Sequence, residues 1–143
     1  MRSLSADLKF GLQQEKDKIE LIKQHLCSKY DEADFANTKD LYQDYYYPYD
    51  FEGVTHKTAV EMKSRRNKKN TYPTTIIPVA KVLTTGVRQL FVFNFTDCIA
   101  YIEYNKEVFD KFVVADITTE RYGARDIPKP HYHIDIKLLI DIS

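Results

Sequence analysis

The sequence predicts a mixed α/β domain in which helices flank a central sheet, and three observations predict it. Apolar residues recur at helical spacing from Leu8 to Leu26, and residues 58–64 alternate with a period of two. Leu90-Phe91-Val92-Phe93-Asn94-Phe95 is a nearly unbroken apolar run of strand type. The 143 residues suit one domain, read here as 1–143, and a chain of that size buries roughly 68–70% of its unfolded surface.

Leu12, Ile19, Ile22 and Leu26 share one helical face, with good helix formers from Gln13 to Glu20 between them. They predict a helix of about five turns. Glu15 fills the gap in that stripe, and helix geometry alone puts it at the stripe's edge, reaching solvent. Residues 40–53 carry Tyr42, Tyr45, Tyr46, Tyr47 and Tyr49 and read as a strand running into a turn at Asp50-Phe51-Glu52-Gly53. Thr58 to Ser64 follows as a second strand, pairing as a hairpin with the first. Its alternation puts Val60 and Met62 on one face and Glu61 and Lys63 on the other.

After a cationic loop, Thr74 or Thr75 caps a short helix expected from Ile76 to Thr85, with Pro78 tolerated in its first turn and Gly86 closing it. Cys98 to Tyr104 is the hairpin partner of the apolar run, across Thr96-Asp97. Lys106 to Phe112 suits a short helix, Pro128-Lys129-Pro130 a loop, and Ile134 to Ile142 a last strand. No repeat or low-complexity tract interrupts the chain.

The apolar fraction of 43% and charged fraction of 29% exclude a disordered chain and give no expectation of a membrane span. Met1 to Asp7 has no apolar stretch of signal-peptide length, so an intracellular location is the default expectation. Cys27 and Cys98 lack any metal or disulfide spacing and read as buried structural thiols. With 21 basic and 21 acidic residues the net charge is zero, and the whole-molecule field gives no argument for nucleic acid. The distribution does. Asp31, Glu32, Asp34, Asp40, Asp44, Asp50 and Glu52 stand against Lys39 alone, whereas residues 63–69 hold Lys63, Arg65, Arg66, Lys68 and Lys69. Such polarity suits a metal site beside a phosphate-holding surface.

Three acid-x-lysine triplets occur: Asp7-Leu8-Lys9, Glu61-Met62-Lys63 and Asp135-Ile136-Lys137. The first opens a helix, where positions two apart diverge. The third has Asp126 upstream, but the six residues after Lys137 leave no room for a phosphate-binding loop or helix. The second alone has an upstream acid across a hairpin, Asp50, and a basic loop behind it. Magnesium takes oxygen ligands and keeps several waters, so two carboxylates on adjacent strands suffice to hold it. An ammonium two residues along the same face can orient a water and offset growing negative charge.

These residues resemble the PD-(D/E)XK nuclease superfamily, over roughly residues 8 to 104. The motif stands as Tyr49-Asp50, then ten residues, then Glu61-Met62-Lys63. Tyr49 replaces the usual proline, with Pro48 one place earlier, which leaves Asp50 and Glu52 as alternatives for the first acid; Phe51 pointing away from Asp50 favours Asp50. The resemblance implies a restriction-endonuclease-like fold with an α-β-β-β-α-β core and a DNA endonuclease, similar to small phage and archaeal resolvase-type enzymes. It implies metal ligation by Asp50, Glu61 and the Met62 carbonyl, with Mg²⁺ as cofactor and Mn²⁺ as a substitute. It implies a water-positioning role for Lys63, an inward Glu15 joining the site, and a polar contribution from Lys81 on the following helix.

Beside such a site Arg65, Arg66, Lys68 and Lys69 read as a backbone clamp for DNA, although a solvated loop suits them too. The tyrosines suit packing or stacking on unpaired bases. His131-x-His133-x-Asp135 is a weaker metal candidate. A homodimer is expected, because two cuts on a duplex or junction suit a two-fold pair. The alternative is a non-catalytic nucleic-acid-binding or assembly module on the same fold.

Overall fold

The computed structural model describes the backbone of residues 4–118, 120–121, 124–125 and 127–142, and the side chains of residues 16–118 and 127–142. It is mixed α/β. Helix α1 (Leu4–Tyr30) is longer than its apolar stripe suggested, and it buries Ile22, Leu26 and Tyr30, four residues apart each time. It ends with Asp31 in the left-handed region (φ 56°) and the Glu32 N–H donating back to the Cys27 carbonyl, a Schellman-type close.

Strands β1 (Phe35–Asn37), β2 (Phe51–Gly53), β3 (Ala59–Ser64), β5 (Gln89–Asn94), β6 (Ile99–Glu103) and β11 (Ile140–Asp141) form one sheet in the order β1-β2-β3-β5-β6-β11. All neighbours are antiparallel except β3 and β5, which run parallel. A parallel pair needs a crossover connection. Here it passes through β4 (Thr74–Pro78), which joins β10 (Lys129–Asp135) and β7 (Val113–Ile117) in a second, antiparallel sheet of order β4-β10-β7. Short helices α2 (Thr38–Tyr42) and α3 (Lys106–Phe109), a two-stranded ribbon, β8 (Glu120–Arg121) with β9 (Ala124–Arg125), and 3₁₀ turns at Lys69–Thr71, Val79–Lys81 and Ile136–Leu138 complete the described elements.

The alternation expected for β3 decides the layering. Val60 and Met62 pair with Leu90 and Val92 and pack beneath α1. Glu61 and Lys63 pair with Phe91 and Phe93, whose rings lie on the opposite side, in a core with Ile77, Tyr132 and Ile134 from the second sheet. One face of the large sheet is therefore covered by a helix and the other by a sheet.

Three expected elements are corrected. Residues 76–85 are not a helix: Thr74–Pro78 is β4, and only Val79–Lys81 makes a turn of 3₁₀ helix. The β-branched run Thr74-Thr75-Ile76-Ile77 alternates in burial and pairs with β10, and this tertiary pairing overrides the capping signal. The second flanking helix of the expected α-β-β-β-α-β order is thus replaced by a strand. The tyrosine-rich segment is a strand only at Phe51–Gly53. Before it, the Asn37 side chain caps α2, and Tyr42 and Tyr47 stack face to face at 4.3 Å instead of alternating. Finally, residues 134–142 divide into the end of β10, a 3₁₀ turn at Ile136–Leu138 and β11, while Pro130 lies within β10 opposite Asp116. Cys27 and Cys98 are free and half-buried rather than fully enclosed.

Candidate functional site

Glu61 projects from the middle of β3 and is 5% exposed. Lys63 Nζ lies 3.5 Å from Glu61 Oε1, and Lys81 Nζ lies 3.7 Å from the same oxygen. Asp50 immediately precedes β2, close enough to Glu61 for its charge to act on that carboxyl. The Asp50 N–H donates to the Val60 carbonyl at 2.9 Å, and Asp50 Oδ2 accepts the Met62 N–H at 2.8 Å. A side-chain oxygen thus continues the ladder where β2 has not yet begun, which fixes the carboxylate against the triplet.

Burial pushes the Glu61 carboxyl above the usual range, and the charge of Asp50 pushes the same way; Lys81 and Lys63 oppose them. Two acids and two ammoniums therefore share one small region.

Asp50 and Glu52 differ in their partners. Glu52 lies on the same face, opposite Ala59, but its carboxylate accepts hydrogen bonds from the Tyr42 hydroxyl at 2.6 Å and the Tyr49 hydroxyl at 2.8 Å. Asp50 is the acid beside Glu61, and Phe51 points the other way, into the core beneath α1.

Lys81 reaches Glu61 from the 3₁₀ turn instead of a helix. The turn is held by Gln89, which the sequence did not single out: its Nε2 donates to the Lys81 carbonyl at 2.7 Å and its Oε1 accepts the Leu83 N–H at 3.0 Å. The available signal was an amide opening an otherwise apolar strand. Thr38, equally silent in the sequence, is fully buried; its N–H donates to the Asp50 carbonyl at 3.0 Å and its hydroxyl bonds the Tyr49 carbonyl.

Glu32 is a third. Its carboxylate, 4% exposed, accepts N–H groups of Thr55 and His56 at 2.7 Å each and of Thr58 at 3.3 Å, so it holds the turn joining β2 to β3. Burial alone would raise its pKa, but these bonds together hold it below the usual range. Gly53 makes room for it: a Cβ there would lie 1.8 Å from Glu32 Oε2.

The basic run divides in two. Arg65 turns inward, with Nε donating to Thr75 Oγ1 at 3.2 Å, Nη2 to the Ile76 carbonyl at 2.5 Å, and its guanidinium over the Phe93 ring. It joins β3 to the second sheet, and burial lowers its pKa. Lys69 pairs with Asp141 at 2.7 Å. Arg66 and Lys68 are exposed.

Glu15 belongs to α1, but its side chain lies outside the described residues. His131 is buried with Nδ1 2.8 Å from the Lys129 carbonyl. Among the described residues no group of three or more His, Cys, Asp or Glu side chains converges as a metal site, the His131–Asp135 stretch included. Asp50 and Glu61 are a pair of hard oxygen donors, with the Met62 carbonyl as the main-chain donor between them in the motif. Such a set fits magnesium, which needs only one or two carboxylates. No helix of the described residues is long and apolar enough to cross a membrane.

Comparisons with family models, with curated proteins and with solved structures find no match for this chain.

Proposed function

We propose that the chain is a divalent-metal-dependent endonuclease of the PD-(D/E)XK type, hydrolysing phosphodiester bonds in DNA, on a restriction-endonuclease-like fold. The observation that carries this reading is Glu61: a buried carboxylate that feels the charge of Asp50, with two ammonium groups within 4 Å of one oxygen. Asp50, Glu61 and the Met62 carbonyl would hold Mg²⁺, or Mn²⁺ in its place. When bound, the ion supplies Lewis-acid polarisation of the scissile phosphate and acidifies water.

The residues do the rest. Lys63, on the same strand face as Glu61, donates hydrogen bonds that orient the attacking water. Lys81, at the same Glu61 oxygen as Lys63, faces the phosphate and offsets its growing charge. Asp50 keeps one oxygen on the Met62 N–H, so its second oxygen is directed by the hairpin itself. Arg66 and Lys68 contact the DNA backbone without choosing sequence. The chain acts as a homodimer, and β7 is the open edge best suited to a second copy. It pairs with β10 alone among the described residues and exposes Val113 and Val114.

The test is cleavage of plasmid, branched and single-stranded DNA with Mg²⁺ or Mn²⁺. Glu61→Gln and Lys63→Ala are each expected to abolish cleavage while DNA binding persists, since both remove interactions needed mainly in the transition state. A wild type without cleavage on any substrate, but with DNA binding intact, would favour the non-catalytic binding module.

A further inference from the structure

We infer that the tyrosine turn beside Asp50 is a stacking surface for unpaired nucleobases, so that the strand engaged at this site is single-stranded or locally unpaired. The inference rests on the nuclease reading for its location and on independent observations for its chemistry. Tyr42 and Tyr49 grip Glu52 on the sheet face that carries Asp50 and Glu61, and the Tyr47 ring packs against both of theirs. These three rings stand together on Glu52, two residues along the chain from Asp50. From them the chain turns outward, and Tyr45 and Tyr46 are 73% and 87% exposed.

That exposure is built into the turn. Asp44 Oδ1 accepts the Tyr46 N–H at 2.9 Å and the Asp44 carbonyl accepts the Tyr47 N–H at 3.3 Å, which fixes the backbone that holds the two rings in water. Tyr45 and Tyr46 stand edge to face at 5.3 Å, with Lys39 Nζ 4.6 Å from the Tyr45 ring centre. Two rigid aromatic side chains offered to solvent beside a site form a surface that every base can use, because every base has a π-face.

The charges distinguish bases from phosphates. Asp40 and Asp44 flank the rings in sequence and repel phosphates, whereas Lys81 reaches Glu61 and the exposed Arg66 and Lys68 follow β3, at the end of the antiparallel β2–β3 pair where the tyrosine segment enters β2. A strand crossing the site thus runs its phosphates over the lysines and arginine and turns its bases towards the tyrosines. A paired duplex cannot do so, since its bases are stacked on each other. A protein partner using the apolar rings with the acidic residues would instead leave oligonucleotide binding unchanged in the variants.

The experiment measures anisotropy of a labelled oligonucleotide of mixed sequence, single-stranded or fully paired, in EDTA so that no cleavage intervenes. Wild type is compared with the Tyr45→Ala, Tyr46→Ala double variant and the corresponding double Phe variant, with folding checked by circular dichroism. The Ala variant is expected to bind single strand roughly tenfold or more weakly, with the Phe variant retaining wild-type affinity and the duplex little affected. Equal loss on both forms, no loss on either, or a wild-type preference for paired duplex would overturn the inference. Because binding is read without metal, the expected pattern in a protein that never cleaves would remove the nuclease reading alone. Cleavage without the pattern would remove this inference alone.

Discussion

Replacing Glu32 by Gln should loosen the hairpin that presents Asp50 to Glu61, and the size of the effect follows from what the carboxylate holds. It accepts three backbone N–H groups of one turn, from Thr55, His56 and Thr58, while 4% exposed. A hydrogen bond to a charged group contributes about 1.5–3 kcal/mol, and these three share one carboxylate, so their sum is not additive. Gln keeps the shape and one acceptor but turns an NH₂ towards a donor, for an expected loss of about 2 kcal/mol at neutral pH. In a domain of this size that lowers Tm by roughly 4–8 °C. The pH dependence has a definite sign. Glu32 is held below its ordinary pKa in the folded chain, so its contribution is present above the unfolded value, about 4.3, and is lost as pH falls through the folded one. Urea unfolding followed from neutral to acid pH should therefore show the wild type losing its advantage over the variant as the acid range is entered. A variant within about 0.5 kcal/mol of wild type at neutral pH, or a gap that stays constant into acid, would refute the carboxylate clamp.

Gln89→Leu should free the turn that carries Lys81, leaving the Lys81 carbonyl and Leu83 N–H without their partner at a cost of about 1–3 kcal/mol; under the nuclease reading, cleavage should fall more than DNA binding does. Arg66→Ala with Lys68→Ala should weaken DNA binding on all sequences and flatten its salt dependence, because each phosphate the protein no longer neutralises keeps its counterion. Arg65→Ala should instead cost stability, because its guanidinium bonds β4 and covers Phe93. Light scattering should give the mass of a dimer, and Val114→Lys on the β7 edge should shift it towards monomer; a wild-type monomer at all concentrations, with DNA present, would end the dimer reading.

Legibility in the sequence followed the range over which each signal acts. The period-two alternation of Val60, Glu61, Met62 and Lys63 is local, and the faces it assigned are those observed. The β5–β6 hairpin across Thr96-Asp97 was readable for the same reason. What failed depends on partners far along the chain. Nothing near Thr74 announces that β10, more than fifty residues later, will pair with it and convert a capped helix into a strand. Arg65 looked like its neighbours because only the second sheet draws it inward. Glu32 reads as one more acid in an acidic segment, and its role appears only when the turn at residues 54–58 folds onto it. Gly53 shows the same limit, since its need for an absent Cβ arises from Glu32 and not from its own backbone.

The cost of Glu61 to folding is itself an argument about what the site is for. On β5 the residues registered with Glu61 and Lys63 are Phe91 and Phe93, both core residues, so an apolar pair on β3 would extend the same packing. The chain instead buries a carboxylate, sets a second acid beside it, and brings two lysines to offset them. Buried ion pairs of this kind are commonly neutral or worse for stability than apolar replacements of similar volume. A buried carboxylate whose charged form is disfavoured by burial and by a neighbouring acid is a candidate for a functional role. Glu61→Gln keeps the volume and removes the charge that burial and Asp50 both penalise. The two lysines it leaves are 29% and 36% exposed and can turn to water. Stability is therefore expected to stay within about 1 kcal/mol of wild type or to rise. A loss of several kcal/mol on denaturant unfolding would mean that Glu61 holds the fold together, and would remove the main reason for reading this cluster as a site.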